Sequence, residues 1–316
     1  MDRMRAAMVG LLVALCATVT PARAQEALSD AWWTGPMLAP SANTLPRGHV
    51  LVEPYLYDMM QYGSYDRGGK LTPAQHANDL GSFAYLIYGL TDRVSVGLIP
   101  ILGYNTGGGA PSSSGIGFGD LGVLAQYRLT QYHLGSWVPI TAIAVQETLP
   151  TGAYDNLGNN PNDGFGSGVS STKVSFYMQT YAWMPNGRIL RLRLNLSQSL
   201  SGRTNVNGAS VYGTSTGFRG TAKPGGTTTL DAAGEYSITR NWVIASDLVY
   251  TYGGDTTVNG TSGFVDLGDS HSFAFAPALE YNWTANAGIL FGVRFFPAGR
   301  NTSASITPAI AINMVR

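Results

Sequence analysis

Residues 189–200 read ILRLRLNLSQSL, and their alternation decides the fold. Leu190, Leu192, Leu194, Leu196 and Leu200 share one parity, and Arg191, Arg193, Asn195, Ser197 and Ser199 share the other. A period of two is that of a β-strand with one apolar and one polar face. A strand of a soluble sandwich can read this way, with leucine inward and arginine in water. Here the alternation holds for about ten residues, the length a tilted strand needs to cross a bilayer. It also recurs along a chain in which only 12% of residues are charged, against about 25% in an ordinary soluble domain. The stretch therefore reads as one stave of a closed antiparallel transmembrane β-barrel, leucine toward lipid and arginine toward the lumen.

Working outward, similar segments fall at 49–58, 79–90, 93–104, 118–129, 137–149, 172–183, 228–238, 242–252, 271–283, 287–297 and 303–315. With the first stretch they make about twelve strands, an even number as single-chain bacterial barrels have. The connections alternate. Those at 91–92, 130–136, 184–188, 239–241 and 284–286 are tight, whereas 59–78, 105–117, 150–171, 201–227 and 253–270 are long and rich in Gly, Asn, Ser and Thr. Short periplasmic turns and long outer loops give that rhythm. Trp137, Trp183, Trp242 and Trp283 lie near the tight turns, where an aromatic girdle is expected.

Residues 1–24 read as an export signal: Arg3 and Arg5, an apolar run over 8–19, and Ala22-Arg23-Ala24 before Gln25. The expectation is Sec export, cleavage near Ala24, and a place in the outer membrane of a Gram-negative bacterium. The one cysteine, Cys16, lies inside the signal, so the mature chain has no disulfide and no thiolate chemistry. Residues 25–47, with Pro36, Pro40 and Pro46, cannot form a helix or a central strand. This irregular lead either stays in the periplasm or enters the barrel mouth. The barrel occupies 48–316.

Keeping charge off lipid sets the faces. Phe273, Phe275, Leu279, Tyr281 and Trp283 then point outward. The lumen receives Glu53, Tyr55, Tyr57, Asp120, Arg128, Lys173, Tyr177, Tyr181, Arg191, Arg193, Asp231, Glu235, Asp247, Glu280 and Arg294. Basic residues on two neighbouring strands face acidic residues on the next two, within reach of cross-strand ion pairs. The tyrosines offer stacking surface to an aromatic or greasy solute, and a barrel this narrow leaves room for small molecules only.

Other chemistry has little support. Residues 117–122 fit GxGxxG, but alternation follows where a helix should start, so no cofactor is expected. Asp155, Asn159, Asn162 and Asp163 are oxygen ligands without the spacing of a calcium loop, and no metal is expected. His271 and Ser272 point to opposite faces and cannot pair as base and nucleophile. With near-balanced charge there is no electrostatic reason to bind nucleic acid.

Residues 45–49 (LPRGH), 53–57 (EPYLY), 89–97 (GLTDRVSVG), 117–121 (GFGDL), 126–129 (QYRL) and 149–152 (LPTG) resemble stretches of the MetA-pathway phenol-degradation family of outer-membrane transporters. The resemblance implies a β-barrel in outer-membrane lipid that takes up small, often aromatic, solutes and is inserted by the barrel-assembly machinery. The alternative is a non-conducting barrel whose outer loops serve adhesion or envelope structure. One departure is the C-terminus: Asn313-Met314-Val315-Arg316 replaces the usual terminal aromatic residue.

Overall fold

The computed structural model describes residues 27–316, so the export signal and its cleavage site lie outside the described residues. The strands are β1 (Val50–Tyr65), β2 (Leu71–Thr91), β3 (Val94–Ile99), β4 (Ile101–Gly107), β5 (Gly117–Phe118), β6 (Leu121–Arg128), β7 (Ile140–Leu149), β8 (Ser171–Trp183) and β9 (Ile189–Ser201). They continue with β10 (Thr204–Asn207), β11 (Arg219–Lys223), β12 (Thr227–Ser237), β13 (Trp242–Gly253), β14 (Thr257–Gly260), β15 (Gly263–Asp266), β16 (Ser270–Thr284), β17 (Ala287–Arg300) and β18 (Thr302–Val315).

β3 with β4, and β5 with β6, are halves of single staves. Pro100 separates the first pair, since it has no N–H for the ladder, although its carbonyl still accepts from Ala84 N at 3.2 Å. Together with β1, β2, β7, β8, β9, β12, β13, β16, β17 and β18 they form a closed 12-strand antiparallel barrel. Closure is the pairing of β1 with both β2 and β18. It leaves no sheet edge, which a strand in hydrocarbon requires.

The register carries the sequence alternation around the wall. Leu196 of β9 lies between Phe176 of β8 and Leu230 of β12 on the outer face. Arg193 lies between Gln179 and Ala233 on the inner face. Leu192, Leu194, Leu230, Leu248, Phe273, Leu279 and Phe291 are exposed outside, while Ala245, Ala276, Ala278 and Ala311 are buried inside. An apolar exterior around a polar, small-residue interior is the inverse of a soluble barrel.

Four local expectations change. Residues 59–78 are no loop: β1 and β2 continue as a tall hairpin, and Asp66 Oδ1 closes its turn by accepting from Gly68 N at 2.8 Å and Lys70 N at 2.9 Å. Beyond the bilayer, neither strand face must be apolar, so the polar sequence looked like loop. The stretches 201–227 and 253–270 also fold, supplying β10, β11, β14 and β15 to a second four-stranded sheet. Val206, Phe218, Ala222 and Val258 form its small core. Trp137 lies outside any strand and is 89% exposed. Trp183 falls on the inner parity of β8, opposite the fully buried Ile189, whereas Trp242 and Trp283 face outward.

Candidate functional site in the barrel lumen

The residues assigned to the lumen share the inner parity of their staves. Glu53, Tyr55, Asp120, Tyr177, Arg191, Arg193, Asp231, Glu235, Asp247 and Glu280 are buried, and Tyr57, Arg128, Lys173, Tyr181 and Arg294 are half-buried. They do not form one cluster. Arg191 bonds both carboxylate oxygens of Glu235, with Nε donating to Oε2 at 2.6 Å. Arg193 Nε stands 3.1 Å from the same Oε2, an ion pair without hydrogen-bond alignment. Lys173 and Asp231 join neither pair. Asp120 holds the outer loop, its Oδ1 accepting from Gly152 N at 3.0 Å and its Oδ2 from Ser167 N at 2.7 Å. Tyr181 packs edge-on to Tyr132 and accepts from Gln179 Nε2.

The largest feature of the lumen is the N-terminal lead, which lies inside it. Asn282 Nδ2 donates to Trp32 O at 3.1 Å. Thr34 N and Gly35 N both donate to Glu280 Oε2, at 2.6 and 3.1 Å. Leu38 N and Ala39 N donate to the two oxygens of Asp247, at 3.3 and 2.9 Å. Arg193 Nη1 then donates to Ala39 O at 2.6 Å and Asn195 Nδ2 to Pro40 O at 2.9 Å. Gln126 Nε2 is shared between Ser41 O and Asn43 O, and Leu45 N reaches Ser95 Oγ at 2.9 Å. The segment thus crosses from the β13–β16 wall to the β3–β6 wall before turning into β1.

The sequence explains why it stays there. Prolines 36, 40 and 46 prevent the lead from building its own ladder, so its remaining N–H groups need other acceptors. Two buried wall carboxylates supply them through charge-assisted bonds. Wall glycines make room: a Cβ on Gly89 would lie 2.1 Å from Pro46 O, and one on Gly288 2.3 Å from Thr34 Oγ1. The guanidinium of Arg191 sits 4.6 Å from the Trp33 ring centroid. Inner-parity Gln126, Gln179, Asn195 and Asn282 were the overlooked signal, because neutral amides on a wall call for a polar partner inside it.

Two cavities border the lead and a third lies between them and the outer loops. One of about 300 Å³ lies against it, lined by Trp33, Glu53, Tyr55, Lys173 and Tyr177. A second, of about 390 Å³, shares Met37, Leu38 and Tyr55 with the first and extends past Tyr57, Phe83 and Arg294. A third, of about 430 Å³, shares Ile101 and Phe165 with the second and opens beside Val211 and Tyr212 of the outer loops. Phe165 comes from the 150–170 loop but folds inward, against Gly103 and Gly117 of the wall. The lining residues link the outer loops to the lead: Phe165 stands between the outermost cavity and the second, Gln146 between the outermost and the first, and the lead between the first and second.

The loop polar residues are used structurally. Asp163 accepts from Ser114 N and Oγ, both at 2.7 Å. Asn162 donates to Gly107 O and Pro111 O, and Asp155 accepts from Asn207 N. Asp163 and Asn162 tie the 105–117 loop and Asp155 the 201–227 segment, and no group of three metal-ligating side chains converges among the described residues.

No family model matches the chain, and no curated protein matches it. Among solved structures it is similar to the COG4313 outer membrane channel from Pseudomonas putida F1, at 15% identity and a TM-score of 0.69, covering 87% of this chain and 98% of that one. The transport unit of the autotransporter AIDA-I from Escherichia coli overlaps at 10% identity and a TM-score of 0.48, covering 88% and 93%. The toluene transporter TodX from P. putida overlaps at 11% identity and a TM-score of 0.39, covering 90% and 95%. The first shares the fold. The other two overlap too loosely to equate individual strands.

Proposed function

We propose that this chain is an outer-membrane channel for small solutes, possessing an internal constriction made by its own N-terminal lead. The observation that carries this reading is the row of cavities from outer loops to lead, interrupted by a segment that is hydrogen-bonded to the wall rather than built into it. A barrel serving only as a scaffold has no need of cavities leading inward from its outer loops. The aromatic lining at Tyr55, Tyr57, Phe83 and Tyr177 suits small solutes with an apolar face, in line with the family resemblance of the sequence. The charged wall residues keep the passage hydrated and hold the constriction.

Planar-bilayer conductance and proteoliposome uptake test the reading. The native barrel should conduct weakly, and Asp247→Ala with Glu280→Ala should conduct more, because both anchors of the lead are gone. Two silent barrels would remove the channel. The non-conducting, loop-displaying alternative draws on the folded outer sheet. It predicts that deleting 204–223 abolishes surface binding and leaves flux unchanged.

A further inference from the structure

We infer that the 390 Å³ central cavity is a binding site for a small aromatic anion, with the ring against Tyr55 and Phe83 and the anionic group at Arg294 and Thr307. The inference rests on the proposed passage of solutes through the lumen, and it specifies what that passage selects.

The register assembles the site. Arg294 of β17 and Thr307 of β18 are directly opposed, and Asp79 of β2 opposes Met59 of β1 on one side and Asn105 of β4 on the other. Two inward-facing positions toward the lead, past the Tyr57/Gly81 pair, Tyr55 opposes Phe83, their rings stacked at 4.5 Å and 11°. Tyr57 lies beside them, over Gly81, where a Cβ would collide with its ring. The polar rim thus stands at one end of the cavity and the stacked pair at the other, with the Tyr57 ring between them along β1. The volume falls in the range of roughly 300–1,000 Å³ typical of small-molecule sites.

Two buried polar groups there have no partner. Arg294 makes no ion pair or hydrogen bond among the described residues and only covers the Phe296 ring at 5.3 Å, its Nε unsatisfied. Thr307 is 3% exposed and its Oγ1 is also unsatisfied. Arg191 and Arg193, by contrast, share Glu235. An unpaired guanidinium and a free hydroxyl on facing positions fit one carboxylate or other oxyanion, which accepts from both. Asp79 is the acidic group in the same cavity and makes no ion pair among the described residues, so it repels an anion from its side and fixes the orientation. A planar solute with its charge at one edge matches floor and rim together.

Equilibrium dialysis of the detergent-solubilised full-length barrel tests this with benzoate, benzyl alcohol and benzylamine as probes. Benzoate should bind saturably and about tenfold more tightly than benzyl alcohol, one charge-assisted contact set. Arg294→Gln should erase that preference by weakening benzoate about tenfold, and Asp79→Asn should tighten benzoate. Equal binding of benzoate and benzyl alcohol, or a preference for benzylamine, overturns the inference. The native protein alone gives this readout, so it does not depend on a variant folding. Flux without benzoate preference would leave the channel standing and remove this site. Benzoate binding without flux would do the reverse.

Discussion

Glu235 is fully buried and serves two arginines from the neighbouring stave. Removing one member of such a group strands the remaining charges, which is worse than never having buried them. Glu235→Leu should therefore cost about 3–5 kcal/mol in urea unfolding of the reconstituted barrel. On the other face, Leu194 is 40% exposed to the surroundings of the wall. Leu194→Arg places a charge in hydrocarbon and should cost about 2–4 kcal/mol near the midplane. Alternation alone was enough to separate these two neighbours' faces, since side-chain parity is a local property of a strand. It could not choose partners. The blocks of Lys173, Arg191 and Arg193 against Asp231, Glu235 and Asp247 invited several pairings. Only Glu235 is taken by the arginines, because Asp247 already accepts from the lead.

At the scale of the element, the lead was the least legible part. Its prolines excluded helix and central strand but left its position open, because its partners are wall residues as many as 250 positions away. Gly89 was read within a family-like hairpin motif, yet its missing side chain is what admits Pro46 O. Gly89→Val should push the end of the lead off the wall, seen as raised conductance and as protease cleavage within 31–48 in the otherwise intact barrel. The outer loops form a second such element. Asp163 accepts two bonds from Ser114, backbone N–H first and hydroxyl second, and these hold its carboxyl below the usual carboxylate range. A depressed folded value means the tie is complete above about pH 4, the ordinary aspartate value, and is lost only as pH falls through the lower folded one. The protection factor of the Ser114 amide, which removes the intrinsic pH dependence of exchange, should stay constant from neutral pH down to about pH 4 and fall only at still lower pH. Protection already lost at pH 6 would disprove the tie. These loops looked unstructured because strands above the bilayer lose the apolar face by which sequence reveals them.

At the scale of the whole molecule, the barrel is a single ring of hydrogen bonds whose last link is β1 against β18. Asn313 Nδ2 reaches Glu53 Oε1 across 260 positions at 3.1 Å, and Val50 and Arg316 exchange backbone bonds at 2.8 and 2.9 Å. Removing residues 311–316 should unzip this link and abolish the heat-modifiable migration that marks a closed barrel in SDS gels. Every other stave pairs with a near neighbour in sequence and can form early, whereas this seam must wait for the whole ribbon. The lead is joined directly to the first stave, at that same seam. Its path across the interior is therefore settled while the wall is still an open sheet, or by reeling in through the narrow mouth afterward. The two routes leave different records. In the first, anchoring variants slow maturation of the ring itself. In the second, they alter only a barrel already shut. Pulse-labelled assembly of the Asp247→Ala, Glu280→Ala protein would tell which history the molecule has.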